Sequence, residues 1–177
     1  AFPGIGIHPS YRGDKRGINW IKRESGILAK LINQKVVRLR FHYLKMKIPI
    51  IYSAIDKTLI QEDWSMQFPR KCGYRAGVAV PIPIWLDNNR GAFNEYGLPH
   101  RLWFPVSIMD QNLKDLSQNE LLNFLLEWNS HASRYGSSIQ IASHWRFFGP
   151  NMSIDKENKQ YENWVIGLKE FLKVWKP

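Results

Sequence analysis

The chain has 177 residues, of which 44% are hydrophobic, and its 25 lysines and arginines outnumber its 15 acidic residues, for a formal net charge of +10. This length predicts one well-filled core and a single domain over residues 1–177. No apolar run approaches the roughly 18–20 residues of a membrane span, and the N-terminal residues lack the basic start and apolar middle of a signal peptide.

Six glycines and prolines among residues 1–18 predict an irregular, basic N-terminal arm. From Asn19, which is suited to capping, apolar residues at helical spacing predict a helix with Lys22, Arg23 and Lys30 on its polar side. The apolar side comprises Trp20, Ile21, Ile27, Leu28, Leu31 and Ile32.

Residues 36–43 alternate between apolar and polar side chains, which predicts a half-buried strand. Val37, Leu39, Phe41 and Tyr43 form its apolar face, and Arg38, Arg40 and His42 form its polar face. Lys45 and Lys47 continue the polar face, so positive groups recur roughly every 6.6 Å along one side of a sheet. A phosphate backbone fits such a row, although a solvated strand face is the commoner explanation.

The middle of the chain is predicted to contain strands separated by loops. Residues 48–52 suggest a short second strand, and residues 56–72 suggest a loop and a short helix that ends before Pro69. The run from Val78 to Ile82 barely alternates, which predicts a largely buried strand over residues 77–85. Residues 102–109 should pair with it in a hairpin that has an unusually long loop.

The last third of the chain predicts two helices and a strand. Ser117 and Glu120 have the spacing of a capping box, and the helix that follows should stop at Gly136. Residues 138–143 alternate as a strand, and residues 151–159 suggest a polar linker. An apolar stripe then predicts a C-terminal amphipathic helix, formed by Tyr161, Trp164, Val165, Leu168, Phe171, Leu172 and Trp175.

These elements predict an α/β protein of the α+β class, with a mostly antiparallel sheet flanked by helices. Within the single domain, residues 1–18 form the arm, residues 19–150 form the α/β core, and residues 151–177 form the linker and the C-terminal helix.

Catalytic and metal-binding patterns are absent from the sequence. The five histidines show neither the i, i+4 pair of a helical zinc site nor a nearby cysteine pair, and Cys72 is the only cysteine. No phosphate-binding loop, dinucleotide fingerprint or nucleophile elbow occurs. The sequence therefore favours a protein without a catalytic site, metal or cofactor. The lone thiol fits a reducing compartment, and a cytoplasmic location is predicted.

The stretch IPIIYS, the later stretch FPRKCGYRAGVAVPI and the hairpin and helix that follow resemble the autoinducer-binding domain of LuxR-type quorum-sensing regulators. The resemblance covers roughly residues 36–136. It is carried by an apolar-Pro entry and by a Gly-x-x-x-Gly-x-x-x-Pro exit that begins at Gly73. The family's Asp-Pro before the entry is replaced here by VVRLRFHY, and the C-terminal residues do not resemble its helix-turn-helix.

The resemblance implies an α-β-α sandwich that encloses an acyl-homoserine lactone. It implies that Tyr52 takes the place of the lactone-contacting Trp and Ser107 that of a strand residue bonding the ligand amide. Trp20 corresponds loosely to a further pocket aromatic, and Tyr74 belongs to the same candidate ligand-binding set.

Two functions are therefore favoured, and an enzyme whose site is assembled from scattered residues stays open as a third. One is a sensing domain of a transcriptional regulator that binds a small apolar signal molecule. The other is a basic nucleic-acid-binding or ribonucleoprotein subunit that uses the row of positive side chains. A homodimer is left open as the assembly in either case. The nucleic-acid candidates are Arg38, Arg40, His42, Lys45 and Lys47.

Overall fold

A computed structural model describes residues 4–10, 18–44, 55, 58–84, 101–144 and 158–175, excluding the side chains of residues 18 and 158–161. The described residues mix α-helices with short strands, which confirms the α+β class. The chain forms two compact units. Unit 1 comprises Ala1–Gln67 and Pro81–Pro105, and unit 2 comprises Phe68–Val80 and Val106–Pro177. The predicted single domain stays a prediction.

Unit 1 contains one described α-helix and a four-stranded sheet with the strand order β1-β2-β4-β3. A 3-10 turn, His42–Leu44, follows the first strand. The bounds are α1 Ile18–Ile32, β1 Arg38–Leu39, β2 Glu62–Met66, β3 Ile82–Pro83 and β4 Leu102–Pro105.

The prediction of a mostly antiparallel sheet is wrong for the described strands. β1 pairs parallel with β2, bringing Arg38 opposite Glu62, and β2 pairs parallel with β4. Only the pair of β3 with β4 is antiparallel, as the predicted hairpin required. More than twenty residues separate β1 from β2, and such a long connection permits a parallel crossover that a tight hairpin excludes.

The described part of the N-terminal arm, residues 4–10, adds to the outer edge of β1. The Ile7 backbone N–H donates to the Arg38 carbonyl at 2.8 Å, and the Arg40 N–H donates to the Ile7 carbonyl at 2.9 Å. The Ile7 side chain is buried. This part of the arm is therefore tied to the sheet of unit 1.

The prediction of a loop and a short helix over residues 56–72 is wrong for residues 62–66, which form the central strand β2. Its side chains Asp63 and Ser65 are buried, as is Gln67 just beyond it. Ser65 Oγ accepts from the Phe41 backbone N–H at 2.8 Å, and Asp63 Oδ1 accepts from the Ser65 N–H at 2.8 Å. Polar residues occupy this strand because tertiary partners satisfy them, and a sequence pattern does not show such partners.

The strand predicted over residues 36–43 is confirmed only in part. Leu39 and Phe41 are buried as expected, but Tyr43 is exposed because residues 42–44 leave the extended conformation, with a Tyr43 φ of 53°. The buried strand over residues 77–85 shortens to β3. Gly77 turns the chain with a φ of +74°, and Val80 before β3 is 40% exposed.

Helix α1 is confirmed, but its apolar face is narrower than predicted. Ile21 is fully buried, and Leu28 and Ile32 pack against the same core. Ile27 and Leu31 are exposed, because at about 100° per residue they lie some 80–120° around the helix from Ile21. The core of unit 1 consists of Ile7, Ile21, Val36, Leu39, Phe41, Ile55, Ile60 and Ile84.

Unit 2 contains α2, Gln118–Arg134, and α3, Asn158–Val174, with the parallel pair β5, Ile108–Met109, and β6, Ile141–Ala142. The predicted capping box is confirmed. Glu120 N–H donates to Ser117 Oγ at 3.4 Å, and Ser117 N–H donates to Glu120 Oε2 at 2.8 Å. Gly136 has a φ of +67° just beyond the helix end, as the stop signal predicted.

The C-terminal helix is confirmed as α3, and it packs against α2. Its Trp164 and Phe171 are buried in a core that also contains Ile108, Leu121 and Leu125. Leu172, predicted on the apolar face, is exposed. The predicted strand at residues 48–52 and linker residues 151–157 lie outside the described residues.

Candidate functional site

A groove of about 920 Å³ runs beside the C-terminal half of α1 in unit 1. We call it the lysine groove. Its walls come from one side of the helix, from the segment that leads to β1 and from two residues before β2. The groove is lined by Lys22, Ser25, Gly26, Ala29, Lys30, Asn33, Gln34, Lys35, Val36, Thr58 and Leu59.

The helix geometry explains why these residues share one side. Lys22, Gly26 and Lys30 are four residues apart and therefore lie in one row on α1. Gly26 contributes no side chain, and no neighbouring atom lies within 4 Å of the position that a Cβ would occupy. Asn33 then adopts a left-handed φ of 51°, which ends the helix and turns the chain toward Lys35.

The charge of the lysine groove has one sign. Three of the described lining residues are lysines and none is acidic. Lys22, Lys30 and Lys35 have no ion-pair partner among the described residues. The C-terminal end of α1 contributes only about half a negative charge, which three ammonium groups outweigh. The groove can therefore attract polyanions.

The arginines predicted to bind nucleic acid have internal partners in unit 1. Arg38 Nε donates to Glu62 Oε2 at 2.6 Å, and Arg40 donates to the Trp64 carbonyl and to Gln67 Oε1. His42 stacks on His8 with ring centroids 4.6 Å apart. Lys45 and Lys47 lie outside the described residues.

A second, smaller cleft of about 430 Å³ lies beside these arginines in unit 1. Its lining includes Arg38, Arg40, His8 and Trp64. The Arg38 guanidinium lies directly over Gly4, where a Cβ would collide with it. The Glu62 carboxylate accepts from both Arg38 Nε and Trp64 Nε1, so a negative charge lies beside Arg38 in this cleft. The cleft is less suited to a polyanion than the lysine groove.

The predicted ligand residues Tyr74 and Ser107 both belong to unit 2. The N–H of Gly73, which precedes Tyr74, donates to the Ser107 carbonyl at 2.9 Å. Ser107 is fully buried, and its hydroxyl donates to the Gln140 carbonyl at 3.4 Å. Ser107 therefore has a structural partner within this unit.

The other two predicted ligand residues are not in this group. Trp20 belongs to α1 of unit 1, where its indole N–H donates to Ser10 Oγ at 2.7 Å and the Arg23 guanidinium lies 5.3 Å from its ring. Tyr52 lies outside the described residues.

Tyr74, Trp128 and Phe124 form a stack of three aromatic rings in unit 2, with Trp128 in the middle. The Tyr74 ring lies 6.2 Å from that of Trp128, which lies 5.4 Å from that of Phe124. Tyr74 Oη and Trp128 Nε1 are buried without a hydrogen-bond partner among the described residues. An unmet buried polar atom costs about 1–3 kcal/mol, so both atoms suit a bound water or ligand group.

A buried carboxylate organises another polar cluster in unit 2. Asp110 is almost completely buried and accepts from the Gln111 N–H at 2.7 Å and from Ser143 Oγ at 3.2 Å. His144 Nδ1 lies 2.9 Å from Asp110 Oδ1, and the indole N–H of Trp164 donates to Ser143 Oγ at 3.1 Å. The cluster joins β6 to the turn after β5 and to α3. No three His, Cys, Asp or Glu side chains of the described residues are placed to hold a metal ion.

Cys72 of unit 2 is half-buried, and burial raises the pKa of its thiol above the ordinary value of 9.0. A hydrogen bond from the Met109 backbone opposes this effect without reversing it. A raised pKa keeps the sulfur as a thiol at neutral pH, which does not suit a nucleophile.

Sequence reasoning placed Lys22 and Lys30 on the polar side of a helix but did not connect them with Lys35 or Leu59. The spacing of Lys22, Gly26 and Lys30, four residues apart on a predicted helix, was the sequence pattern that could have indicated the groove. The position of Leu59 could not be found this way, because it comes from a segment far along the chain.

Comparison of the chain with protein-family models, with curated proteins and with solved structures finds no match. Within the part of the chain that the structure describes, every helix is too short or too polar to cross a membrane. The functional argument therefore depends on the geometry of the described residues.

Proposed function

We propose that this chain binds nucleic acid through the lysine groove of unit 1. The observation that carries the proposal is the groove itself, in which Lys22, Lys30 and Lys35 have no ion-pair partner among the described residues and no described lining residue is acidic. The formal charge of +10 adds a long-range attraction for polyanions. Arg38 and Arg40, with their internal partners, are secondary to the lysines in this proposal.

The proposal makes a quantitative statement about salt. Each phosphate that a lysine neutralises releases condensed counterions, and the logarithmic salt dependence of binding steepens by about 0.7 for single strands and about 0.9 for B-DNA. Three lysines therefore contribute a slope of roughly −2 to −3. Such binding is measurable at low salt and weakens strongly at physiological salt.

The test is a titration of fluorescently labelled oligonucleotides at several salt concentrations. Lys30→Ala should weaken binding and reduce the slope by about one unit, because one phosphate contact is lost. Lys169→Ala, on the exposed side of α3 in unit 2, removes the same charge away from the groove and is the matched control. An affinity that does not change with salt, or equal effects of the two variants, would refute the proposal.

A second candidate is a small-molecule sensing domain for an acyl-homoserine-lactone-like signal. It is supported by the aromatic stack of unit 2, where Tyr74 Oη and Trp128 Nε1 have no hydrogen-bond partner among the described residues and could donate to an acceptor on a ligand. Aromatic walls with few orienting donors are typical of small-molecule pockets. The α-β-α sandwich, the lactone contact of Tyr52 and a role in transcription regulation belong to this candidate.

Ligand-dependent stabilisation tests the second candidate. Binding to the folded state raises stability by RT ln(1 + [L]/Kd), so saturating acyl-homoserine lactone should raise Tm. Tyr74→Phe should reduce the rise in Tm, whereas Tyr135→Phe, which alters an exposed tyrosine of the same unit, should leave the rise unchanged. An unchanged Tm at saturating ligand would rule the candidate out.

A further inference from the structure

We infer that the lysine groove selects single-stranded over double-stranded nucleic acid. The inference rests on the proposed nucleic-acid function and deepens it by naming the substrate class. It depends on what the groove offers besides charge: an exposed aliphatic wall, and two amide side chains beside the lysines.

The exposed apolar wall is formed by Leu59, since Val36, which also lines the groove, is buried in the core and Ala29 is half-buried. Leu59 is 65% exposed although it lines a groove, so a large aliphatic surface faces the space between the lysines. The faces of unpaired bases are apolar and can cover such a surface. In a duplex these faces are stacked inside the helix, and a groove of this kind meets only phosphates, sugars and base edges. Leu59 therefore gains a partner from a single strand and none from a duplex.

The amide groups of Asn33 and Gln34 give a second reason. Both residues are exposed in the groove, and their side chains have no hydrogen-bond partner among the described residues. Each amide offers two N–H donors and one carbonyl acceptor, which match the edges of unpaired bases. Thr58 is different, because its hydroxyl already donates to the Ile55 carbonyl at 2.6 Å.

The length of the charged row suits a short contact. Lys22 and Lys30 are eight residues apart on α1, which corresponds to about 12 Å along the helix axis. Each strand of a B-form duplex advances roughly 3.4 Å per phosphate along the helix axis, so this distance corresponds to three to four phosphates of a helically stacked strand and to fewer of an extended one. No aromatic side chain lines the groove in the described part of the chain, so strong stacking and strong base preference are not expected.

The experiment compares three probes at 50 mM salt: a labelled single-stranded DNA dodecamer, an RNA of the same sequence, and the corresponding DNA duplex. We expect either single strand to bind at least tenfold more tightly than the duplex. Leu59→Ser should weaken single-strand binding about fivefold to tenfold while leaving both the salt slope and the duplex affinity unchanged.

Leu31→Ser is the matched control, because Leu31 is 78% exposed on α1 and does not line the groove. It should not change the affinity for any oligonucleotide. Both substitutions affect exposed side chains, and an unchanged Tm confirms that each variant folds. Equal affinity for single strand and duplex, or equal effects of Leu59→Ser and Leu31→Ser, would overturn the inference while leaving the proposed function intact.

Two other outcomes concern the proposed function itself. If no oligonucleotide binds at low salt, both the function and the inference fail. Vesicles containing phosphatidylserine form a fourth arm, because Ile27 and Leu31 expose aliphatic surface on the same helix as the lysines. Binding to these vesicles without binding to oligonucleotides, weakened by Leu31→Ser, would overturn both in favour of an anionic membrane surface.

Discussion

Ser65 in the middle of β2 offers a direct test of how the sheet of unit 1 is held together. Its side chain is fully buried, and its hydroxyl oxygen accepts from the Phe41 backbone N–H at 2.8 Å. Ser65→Ala removes this acceptor and adds no bulk, so the Phe41 N–H is left buried without its partner. The cost of an unmet buried donor is about 1–3 kcal/mol.

For a chain of 177 residues that unfolds cooperatively, each kcal/mol of lost stability lowers Tm by about 2–4 °C. Thermal denaturation should therefore show a clear decrease, and amide hydrogen exchange followed by NMR should show faster exchange at Phe41. Ser25→Ala is the matched control in the same unit, because the Ser25 hydroxyl only donates back to the Ile21 and Lys22 carbonyls of its own helix. We expect the control to be neutral or slightly stabilising, since alanine favours helices.

Equal stability of the Ser65→Ala and Ser25→Ala proteins would refute the reasoning. Unchanged protection of the Phe41 amide would do the same, because it would mean that another acceptor replaces the hydroxyl.

Four further predictions concern unit 2. Ser117→Ala should lower the stability of the helix α2 by about 1 kcal/mol, seen as faster hydrogen exchange in its first turn. Hydrogen bonds from the Ser117 side chain and backbone hold the pKa of Glu120 below its ordinary value of 4.5. The contribution of this carboxylate to the stability of α2 is therefore complete above pH 4.5, and it disappears as the pH falls through the lower folded pKa. Hydrogen exchange in the first turn of α2, measured against pH, would contradict this if its protection did not decrease on acidification. Asp110→Asn should destabilise unit 2 by about 2–3 kcal/mol, because one carboxylate oxygen that accepts several hydrogen bonds becomes an NH2 donor. Urea denaturation measures this, and Glu162→Gln, at an exposed position of α3, serves as the control. Cys72 should react slowly with iodoacetamide at pH 7 and faster as the pH rises, because burial raises the pKa of its thiol; a rate equal to that of a free thiol would count against its burial.

The sequence was sufficient where a short local pattern determines the structure. The capping box of Ser117 and Glu120, the stop at Gly136 and the buried Trp164 and Phe171 of α3 all follow from side chains within a few turns of one helix. These features depend on backbone groups and periodicities that are complete within the element itself. The positive charge of the chain and the lysines of α1 were likewise visible in the sequence.

The sheet of unit 1 depended on the tertiary structure. Asp63 and Ser65 made residues 62–66 look like a loop, because polar side chains are normally solvated. Here Phe41, more than twenty residues earlier, donates its backbone N–H to Ser65, which permits a polar strand in a central position. Parallel pairing with β1 and β4 also depends on partners far apart in sequence.

The candidate site combines both kinds of information. The row of Lys22 and Lys30 follows from helical periodicity and could be predicted from the sequence. Only the folded chain brings Leu59 to the same groove. Only the folded chain gives Arg38 an internal carboxylate partner, while the groove lysines have none among the described residues. The sequence thus determined where the positive side chains occur. The tertiary structure decided which of their charges remain available to a ligand, because ion pairing depends on side chains that are close in space rather than along the chain.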